Sequence, residues 1–210
     1  MAMDLVAVIE HKMTAREVLT IPSLITASIA LRKQYEERHP GSKLKLTNWT
    51  GPHEMTADNL EQIWEAEADG ENFQGEGMNY YSEIDSFFGE ITVNRHTINV
   101  TPFPEHKYKN LRDTGNLEYI LTLNRQLAKL FDVKRILYTV DGYYKPAILA
   151  EQSRLGWSLD AIIEYGNETF GVPPKEMNEA VANLYFIDDF DLETSELDPN
   201  KKVQSRWGNE

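Results

Sequence analysis

The chain has no cysteine among its 210 residues. This absence excludes disulfides, thiolate nucleophiles and cysteine-based zinc sites. A reducing compartment is the simplest setting for such a chain, so we expect a cytoplasmic protein. Residues 1–13 lack the basic start and the long apolar run of a signal peptide. No apolar run approaches the roughly 20 residues that span a bilayer, so no membrane partner is expected.

Positive charge is also scarce, because 21 Lys and Arg stand against 34 Asp and Glu, which gives a net charge of −13. Nonspecific binding to nucleic acid or to an anionic membrane is therefore disfavoured. Two explanations of the acidity remain open. It serves solubility alone, or it attracts a cationic partner.

The charge is distributed unevenly along the chain. No Lys or Arg lies between Lys45 and Arg95, the segment from Arg95 to Arg135 is basic, and acids return towards the C-terminus. A basic middle segment can pack beside its acidic flanks and neutralise part of their charge. Because the acids outnumber the bases, we predict an uncompensated negative surface that steers a basic partner.

Hydrophobic periodicity predicts that strands alternate with helices. The predicted strands are Asp4–Glu10, Lys43–Trp49, two strands within Phe87–Phe103 around a turn at Asn94–Arg95, Arg135–Val140 and Tyr185–Phe190. The predicted helices are Thr14–Leu19, Ser23–Glu37 after Pro22, Thr56–Trp64, Asn116–Phe131, Pro146–Leu155, Ser158–Phe170 and Pro174–Leu184.

These elements, with 41% hydrophobic residues, indicate one α+β domain over residues 1–192. Its sheet is expected to be mixed or mainly antiparallel, with helices packed on it. Within the domain, residues 70–86 are acidic and begin with a glycine-rich run, which predicts a flexible excursion. Residues 193–210 are predicted to form a polar C-terminal tail.

One acidic stretch resembles a calcium-binding loop. Glu65, Glu67, Asp69 and Glu76 stand at the first, third, fifth and twelfth positions of an EF-hand, and Gly70 stands at the sixth. A glutamate is too long for the first position, and no second loop exists. We therefore interpret the stretch as an acidic helix end that runs into a loop, and we expect no metal and no cofactor.

Other catalytic signals are incomplete. The segment from His96 to Ile98 contains one His-x-Thr/Ser-like unit, but the two-histidine phosphoesterase chemistry needs a second unit, and His106 lacks it. Asp188, Asp189 and Asp191 offer oxygen ligands for a hard cation, yet adjacent positions of a strand point to opposite faces. A row of carboxylates that protects a sheet edge is the preferred interpretation. We expect a protein that is not an enzyme.

Aromatic side chains among carboxylates are typical of an interface for a basic protein. Two clusters have this composition, one within the acidic interval and one near the C-terminus. The predicted protein-binding residues are Glu61, Trp64, Glu65, Asp69, Glu71, Glu76, Tyr80, Tyr81, Asp188, Asp189 and Asp191.

Three segments follow one another in a definite layout. They are an opening strand, short helix and proline (DLVAVIEHKMTAREVLTIPSLI), a strand and turn (RILYTVDGYYKPA) followed by GWSLDAIIEYGNETFGVPP, and a closing YFIDDFD. This layout resembles that of small bacterial immunity proteins from polymorphic toxin systems. The resemblance covers about half of the chain and implies a cytoplasmic antitoxin that binds and blocks a cognate toxin domain.

Three functional hypotheses follow. The first is a non-enzymatic inhibitor of immunity-protein type that occludes a basic toxin, for example a nuclease, with carboxylates lying where phosphates would bind. The second is a phage-type mimic of nucleic acid that blocks a host defence enzyme. The third is a metal-dependent enzyme with a scattered acidic and histidine site.

Overall fold

The structure, a computed structural model, describes residues 5–38, 40–41, 46–49, 55–68, 78–82, 90–101, 114–140, 145–174 and 185–190. Its strands are β1 (Leu5–Glu10), β2 (Leu46–Trp49), β3 (Met78–Ser82), β4 (Glu90–Val93), β5 (Thr97–Thr101), β6 (Arg135–Val140) and β7 (Tyr185–Asp189). Its α-helices are α1 (Ala15–Val18), α2 (Ile21–Ala27), α3 (Ile29–Arg38), α4 (Ala57–Ala68), α5 (Thr114–Lys129), α6 (Ile148–Arg154) and α7 (Leu159–Phe170). A 3₁₀ helix over Lys145–Ala147 leads into α6.

The seven strands form one sheet in the order β2-β3-β4-β5-β1-β6-β7. Each neighbouring pair is antiparallel. The predicted α+β class is therefore confirmed, and the described part of the sheet is antiparallel, not mixed. The predicted helix over Pro174–Leu184 lies outside the described residues beyond its first position.

Helices cover both faces of the sheet, and β1 is an interior strand between β5 and β6. Leu5, Ala7 and Ile9 belong to a core under α1 to α5, whereas Val6 and Val8 belong to a core under α6 and α7. All five side chains are fully buried. This explains why β1 reads as a continuous apolar run without polar alternation, since both of its faces exclude water.

The long helix predicted over Ser23–Glu37 is two helices. The chain breaks at Ser28, whose ψ of 117° is extended, between α2 and α3. The Ser28 hydroxyl accepts a hydrogen bond from the Leu31 amide at 3.3 Å, which is the geometry of a helix N-cap. Serine thus starts the second helix where hydrophobic spacing alone predicted a continuous one.

Part of the predicted excursion over 70–86 is ordered as a strand. β3 pairs with β2 on one side and with β4 on the other, with Tyr80 opposite Ile91 and Tyr81 opposite Glu90. Aromatic residues favour strands, so Met78–Ser82 carried a strand signal that the preceding glycines obscured. The rest of the excursion, and the tail 193–210, lie outside the described residues.

One turn joins α6 to α7 through two successive caps. The Trp157 amide donates to the Gln152 carbonyl at 3.1 Å and the Gly156 amide donates to the Ser153 carbonyl at 3.1 Å, which defines a Schellman motif. Gly156 takes the left-handed position with φ of 77°. Ser158 then caps α7 by accepting from the Ala161 amide. Trp157 is held between the two caps.

A buried polar cluster ties the β4–β5 hairpin to α6. The Ser153 hydroxyl donates to Asn99 Oδ1 at 2.6 Å, accepts from Asn94 Nδ2 at 3.1 Å, and lies 2.5 Å from Thr97 Oγ1. Because its one proton goes to Asn99, Thr97 is the donor in the last pair. The four side chains are buried, so these bonds satisfy groups that water does not reach.

The C-terminal part of α7 packs closely on the sheet. A Cβ at Gly166 would lie 3.4 Å from side-chain atoms of Leu149 and Tyr185, so glycine permits this approach. The Tyr185 hydroxyl donates to the Gly171 carbonyl at the end of the helix. α7 is therefore fixed against β7 and α6.

Candidate functional site

α4 is the described helix of the acidic interval. The Thr56 hydroxyl caps it by accepting from the Asn59 amide at 3.2 Å. Leu60 and Trp64 are buried against the core, and the Trp64 ring lies 6.4 Å from the His11 ring. The face of α4 that contains Leu60 and Trp64 is thus packed against the core, and the opposite face of the helix points to solvent.

The outward face of α4 carries three exposed carboxylates, Asp58, Glu61 and Glu65, which we call the α4 stripe. They are three and four positions apart, so they share one side of the helix at axial separations of about 4.5 and 6 Å. Within the described residues, no Lys or Arg forms an ion pair with any of them. No cation in the described part of the chain therefore compensates their negative charge.

The C-terminal acids are compensated instead. Arg125 donates two hydrogen bonds to Asp188, and Arg135 donates one to Asp189 at 2.6 Å. Asp188 is only 3% exposed. The prediction that Asp188 is an exposed contact for a partner is wrong, because its carboxylate lies inside the protein and is neutralised there. Asp189 is exposed but paired, and Asp191 lies outside the described residues.

Asp188 and Asp189 do point to opposite faces of β7, as strand geometry predicts. On the buried side, Tyr138 packs beside Phe186 with ring centroids 6.3 Å apart. Burial, and then the charge of Asp188, raise the pKa of Tyr138 well above its usual range. Within the described residues, Arg125 and Arg135 of the basic middle segment neutralise Asp188 and Asp189, and no cation pairs with the α4 stripe.

Trp64 is a second correction. It was predicted as an interface anchor, but it is 7% exposed and belongs to the larger core. The spacing from Leu60 to Trp64 is four residues, which places both on the inward face of α4. Tyr80 and Tyr81 lie on β3, and their side chains are outside what the structure describes, as are Asp69, Glu71 and Glu76.

The first half of the stretch that resembles a calcium-binding loop is helical. α4 continues to Ala68, so Glu65 and Glu67 lie within a helix and not in a loop that wraps around an ion. Among the described residues there is no group of three His, Asp or Glu side chains close enough to hold a metal ion.

The two described histidines do not form a catalytic pair. His11 Nε2 donates to the Asn94 carbonyl at 2.8 Å, and His11 Nδ1 accepts from the Met13 amide at 3.2 Å. Both ring nitrogens are therefore occupied by the backbone, and burial lowers the pKa of His11. His96 is exposed in the β4–β5 turn, where partial burial and then Arg95 lower its pKa.

A cavity of about 310 Å³ lies where β1 ends and β6 begins. Lys12, Lys134, Glu10 and Asp132 line it, and none of the four forms an ion pair with another described residue. Arg135, also in its wall, binds Asp189 and Asp160. Because charges of both signs alternate around this cavity, it favours neither an anionic nor a cationic ligand.

Sequence reasoning missed a second acidic face, on α7. Asp160, Glu164 and Glu168 are exposed at intervals of four residues, and we call them the α7 ladder. Trp157 stands beside this helix, 40% exposed, with its ring edge-on to Tyr165 at 6.1 Å. The signal in the sequence that identifies this face was three acids spaced four residues apart, with no Lys or Arg between them.

No protein-family model, no curated protein and no solved structure matches this chain. Within the described residues, no helix combines the length and the apolar character that crossing a membrane requires.

Proposed function

We propose that this protein is a non-enzymatic inhibitor of bacterial immunity-protein type, which neutralises a basic toxin domain by covering its working surface. The observation that carries the proposal is the α4 stripe, three exposed carboxylates on one helix that no described cation neutralises. A toxin surface that binds phosphates, such as that of a nuclease, is the matching partner chemistry.

The stripe is suited to rapid association. Its helix is anchored through Leu60 and Trp64, so little backbone freedom is lost when a partner binds. The net charge of −13 adds a long-range attraction for a cationic surface. Such attraction acts mainly on the association rate and weakens as salt is added.

Three described polar side chains that catalysis could use are engaged in structure, which supports an inhibitor over an enzyme. Both nitrogens of His11 bind backbone groups, and Asp188 is held by Arg125. The Ser153 hydroxyl is fully buried and donates its proton to Asn99. None of these three is available as a base or a nucleophile in this arrangement.

The test compares capture by three immobilised proteins: the wild type, a stripe variant, and a charge-matched control. The stripe variant is Asp58→Lys, Glu61→Lys, Glu65→Lys. The control, Glu36→Lys, Glu37→Lys, Glu151→Lys, changes three exposed acids elsewhere by the same net charge. From a lysate of the source organism, we expect the wild type and the control to retain a basic protein that salt elutes, and the stripe variant to lose it.

Association of the captured protein is then measured at low salt. Reversal of the stripe should slow association by about 10- to 100-fold, with a smaller change in dissociation. The wild type should also inhibit the activity of its partner at one-to-one ratio. Equal binding of the stripe variant, or binding without inhibition, would contradict the proposal. A DNA-binding defence enzyme as partner, competed off by duplex DNA, would instead support a nucleic-acid mimic.

A further inference from the structure

The corner between α6 and α7 exposes two large apolar side chains. Leu155 is 47% exposed and Trp157 is 40% exposed, on either side of Gly156. Tryptophan is the residue type most enriched at the energetic centres of protein interfaces. An exposed tryptophan in a fixed position is therefore a more specific signal than a scattered exposed leucine.

The turn fixes Trp157 without burying it. The residue at this position of a Schellman motif commonly packs against the residue five positions earlier, which here is the polar Gln152. Trp157 instead turns its ring towards Tyr165 on α7, in an edge-on contact with an interplanar angle of 84°. This contact holds the indole in place while two-fifths of the side chain stays in water.

The α7 ladder continues from this corner. Glu164 and Glu168 are exposed and, among the described residues, form no ion pair, whereas Asp160 lies 3.2 Å from Arg135. Glu164 precedes Tyr165 and follows Trp157 by about two turns of helix. Carboxylates that flank an aromatic pair provide both parts of a guanidinium site, the opposite charge and the ring face.

We propose that Trp157 and the α7 ladder form a second docking surface, which accepts an arginine-bearing helix or loop of a protein partner. An arginine stacks on the exposed face of Trp157 and pairs with Glu164, and a second pairs with Glu168. Leu155 contacts an apolar side chain of the same segment. Charge complementarity selects this occupant over a second copy of the chain, which is itself strongly acidic.

The charge around the corner also gives the partner a direction. The Arg95 side chain lies beside the turn, where its Cβ would be 3.6 Å from a Cβ at Gly156. The surface thus changes from cationic at Arg95 to anionic at Glu168. A segment with its arginines towards the C-terminal half of α7 fits, and the reversed segment places arginine against Arg95.

This surface is independent of the α4 stripe. α4 belongs to the core on one face of the sheet, and α7 belongs to the core on the other. Either surface can therefore fail its test while the other passes.

The test uses a short amphipathic peptide with arginines one helical turn apart and leucines between them. The full ¹⁵N-labelled chain is titrated with it, and the indole N–H of Trp157 is assigned with Trp157→Phe. We expect saturable shifts at that indole and at the amides of Glu164 and Glu168. Glu164→Lys with Glu168→Lys should weaken binding about tenfold, because two exposed ion pairs become repulsions.

The stripe variant described above should bind this peptide within about twofold of the wild type, since its changes lie on the other face. Trp157→Ala should weaken binding more than Trp157→Phe, with both variants keeping the wild-type circular dichroism spectrum. Three results would overturn the proposal. They are shifts confined to α4, the absence of any shift, and equal binding of a peptide in which glutamates replace the arginines. Self-association that Trp157→Ala abolishes would also overturn it, because a second copy would then be the occupant.

Discussion

Arg125 binds Asp188 through two parallel hydrogen bonds, from Nε to Oδ2 at 2.8 Å and from Nη2 to Oδ1 at 2.6 Å. The guanidinium also lies 5.6 Å from the centre of the Phe190 ring. This contact joins α5 to the last strand of the sheet across 63 positions of sequence. Because the carboxylate is buried and its two hydrogen bonds come from a charged donor, solvent screens this pair less than it screens the exposed ion pairs.

We expect Asp188→Asn to lower the free energy of unfolding by about 2–3 kcal/mol, because it leaves a partly buried guanidinium without its counter-charge. Asp189→Asn is the matched control on the same strand. Its exposed ion pair should contribute less than about 1 kcal/mol. Urea unfolding of both variants measures the difference, and equal losses would show that the two pairs do not differ in burial as described.

His11 makes stability depend on pH. Burial lowers its pKa below the ordinary 6.5, although the hydrogen bond to Asn94 opposes this. Above that value neither state binds the proton, so the full stability is present. As the pH falls through the window from about 6.5 towards the folded-state pKa, the unfolded chain binds the proton first and stability is lost.

The slope due to His11 should reach at most about 1.4 kcal/mol per pH unit below about pH 6.5. His11→Gln removes this slope, and His96→Gln, at an exposed position, removes less. Denaturant unfolding at a series of pH values measures it. A wild-type slope that His11→Gln leaves intact would rule out His11 as its source.

Ser153 holds the buried polar cluster together, so we expect Ser153→Ala to cost about 1–3 kcal/mol. The loss comes from Asn99, Asn94 and Thr97, whose buried polar atoms lose a partner that water cannot replace. Ser23→Ala, on the exposed side of α2, is the control and should change stability by less than about 0.5 kcal/mol. Thermal unfolding distinguishes the two, and comparable values would mean that the cluster contributes nothing.

Asp132 and Gly156 occupy the same left-handed position in two Schellman motifs. Glycine suits this position, whereas aspartate has a Cβ that disfavours it. The Val133 amide donates to the Ala128 carbonyl, and Asp132 takes φ of 55°. We expect Asp132→Gly to raise stability by about 0.5–1 kcal/mol, because glycine adopts this conformation without a Cβ clash. Gly156→Ala is the reciprocal change and should cost about 1–2 kcal/mol. Denaturant unfolding measures both changes in the free energy of unfolding. If both have the same sign, the left-handed conformation does not determine the effect of these substitutions.

Features encoded by neighbouring residues were predictable. The β4–β5 hairpin, the caps at Thr14, Thr56 and Ser158, and the amphipathic α5 all depend on residues a few positions apart, and the structure contains each of them. The period of α4 also predicted that Trp64 faces inward. The interface hypothesis overrode that pattern because an aromatic residue among acids suggested a binding site.

The pairing of charges was not predictable, because it depends on strand order. Nothing near Asp188 in the sequence indicates that Arg125 will meet it, and the two meet only because α5 lies over the edge of the sheet that contains β7. The α7 ladder was visible as a spacing of four. The denser acidic runs elsewhere along the chain gave a stronger signal, so this face was not predicted. Two of its three members form no ion pair among the described residues.

The interior position of β1 in the sheet has a consequence for how the protein folds during its synthesis. β1 leaves the ribosome before its two neighbours in the sheet, β5 and β6, with Ala7 opposite Val100 and Leu5 opposite Val140. Its apolar side chains have no strand partner until β5 (Thr97–Thr101) has been made, about halfway along the 210 residues. Pairing between residues that are distant in sequence slows folding and leaves an aggregation-prone apolar segment unpaired in the meantime. We therefore expect the nascent chain to bind molecular chaperones that cover exposed apolar strands during translation.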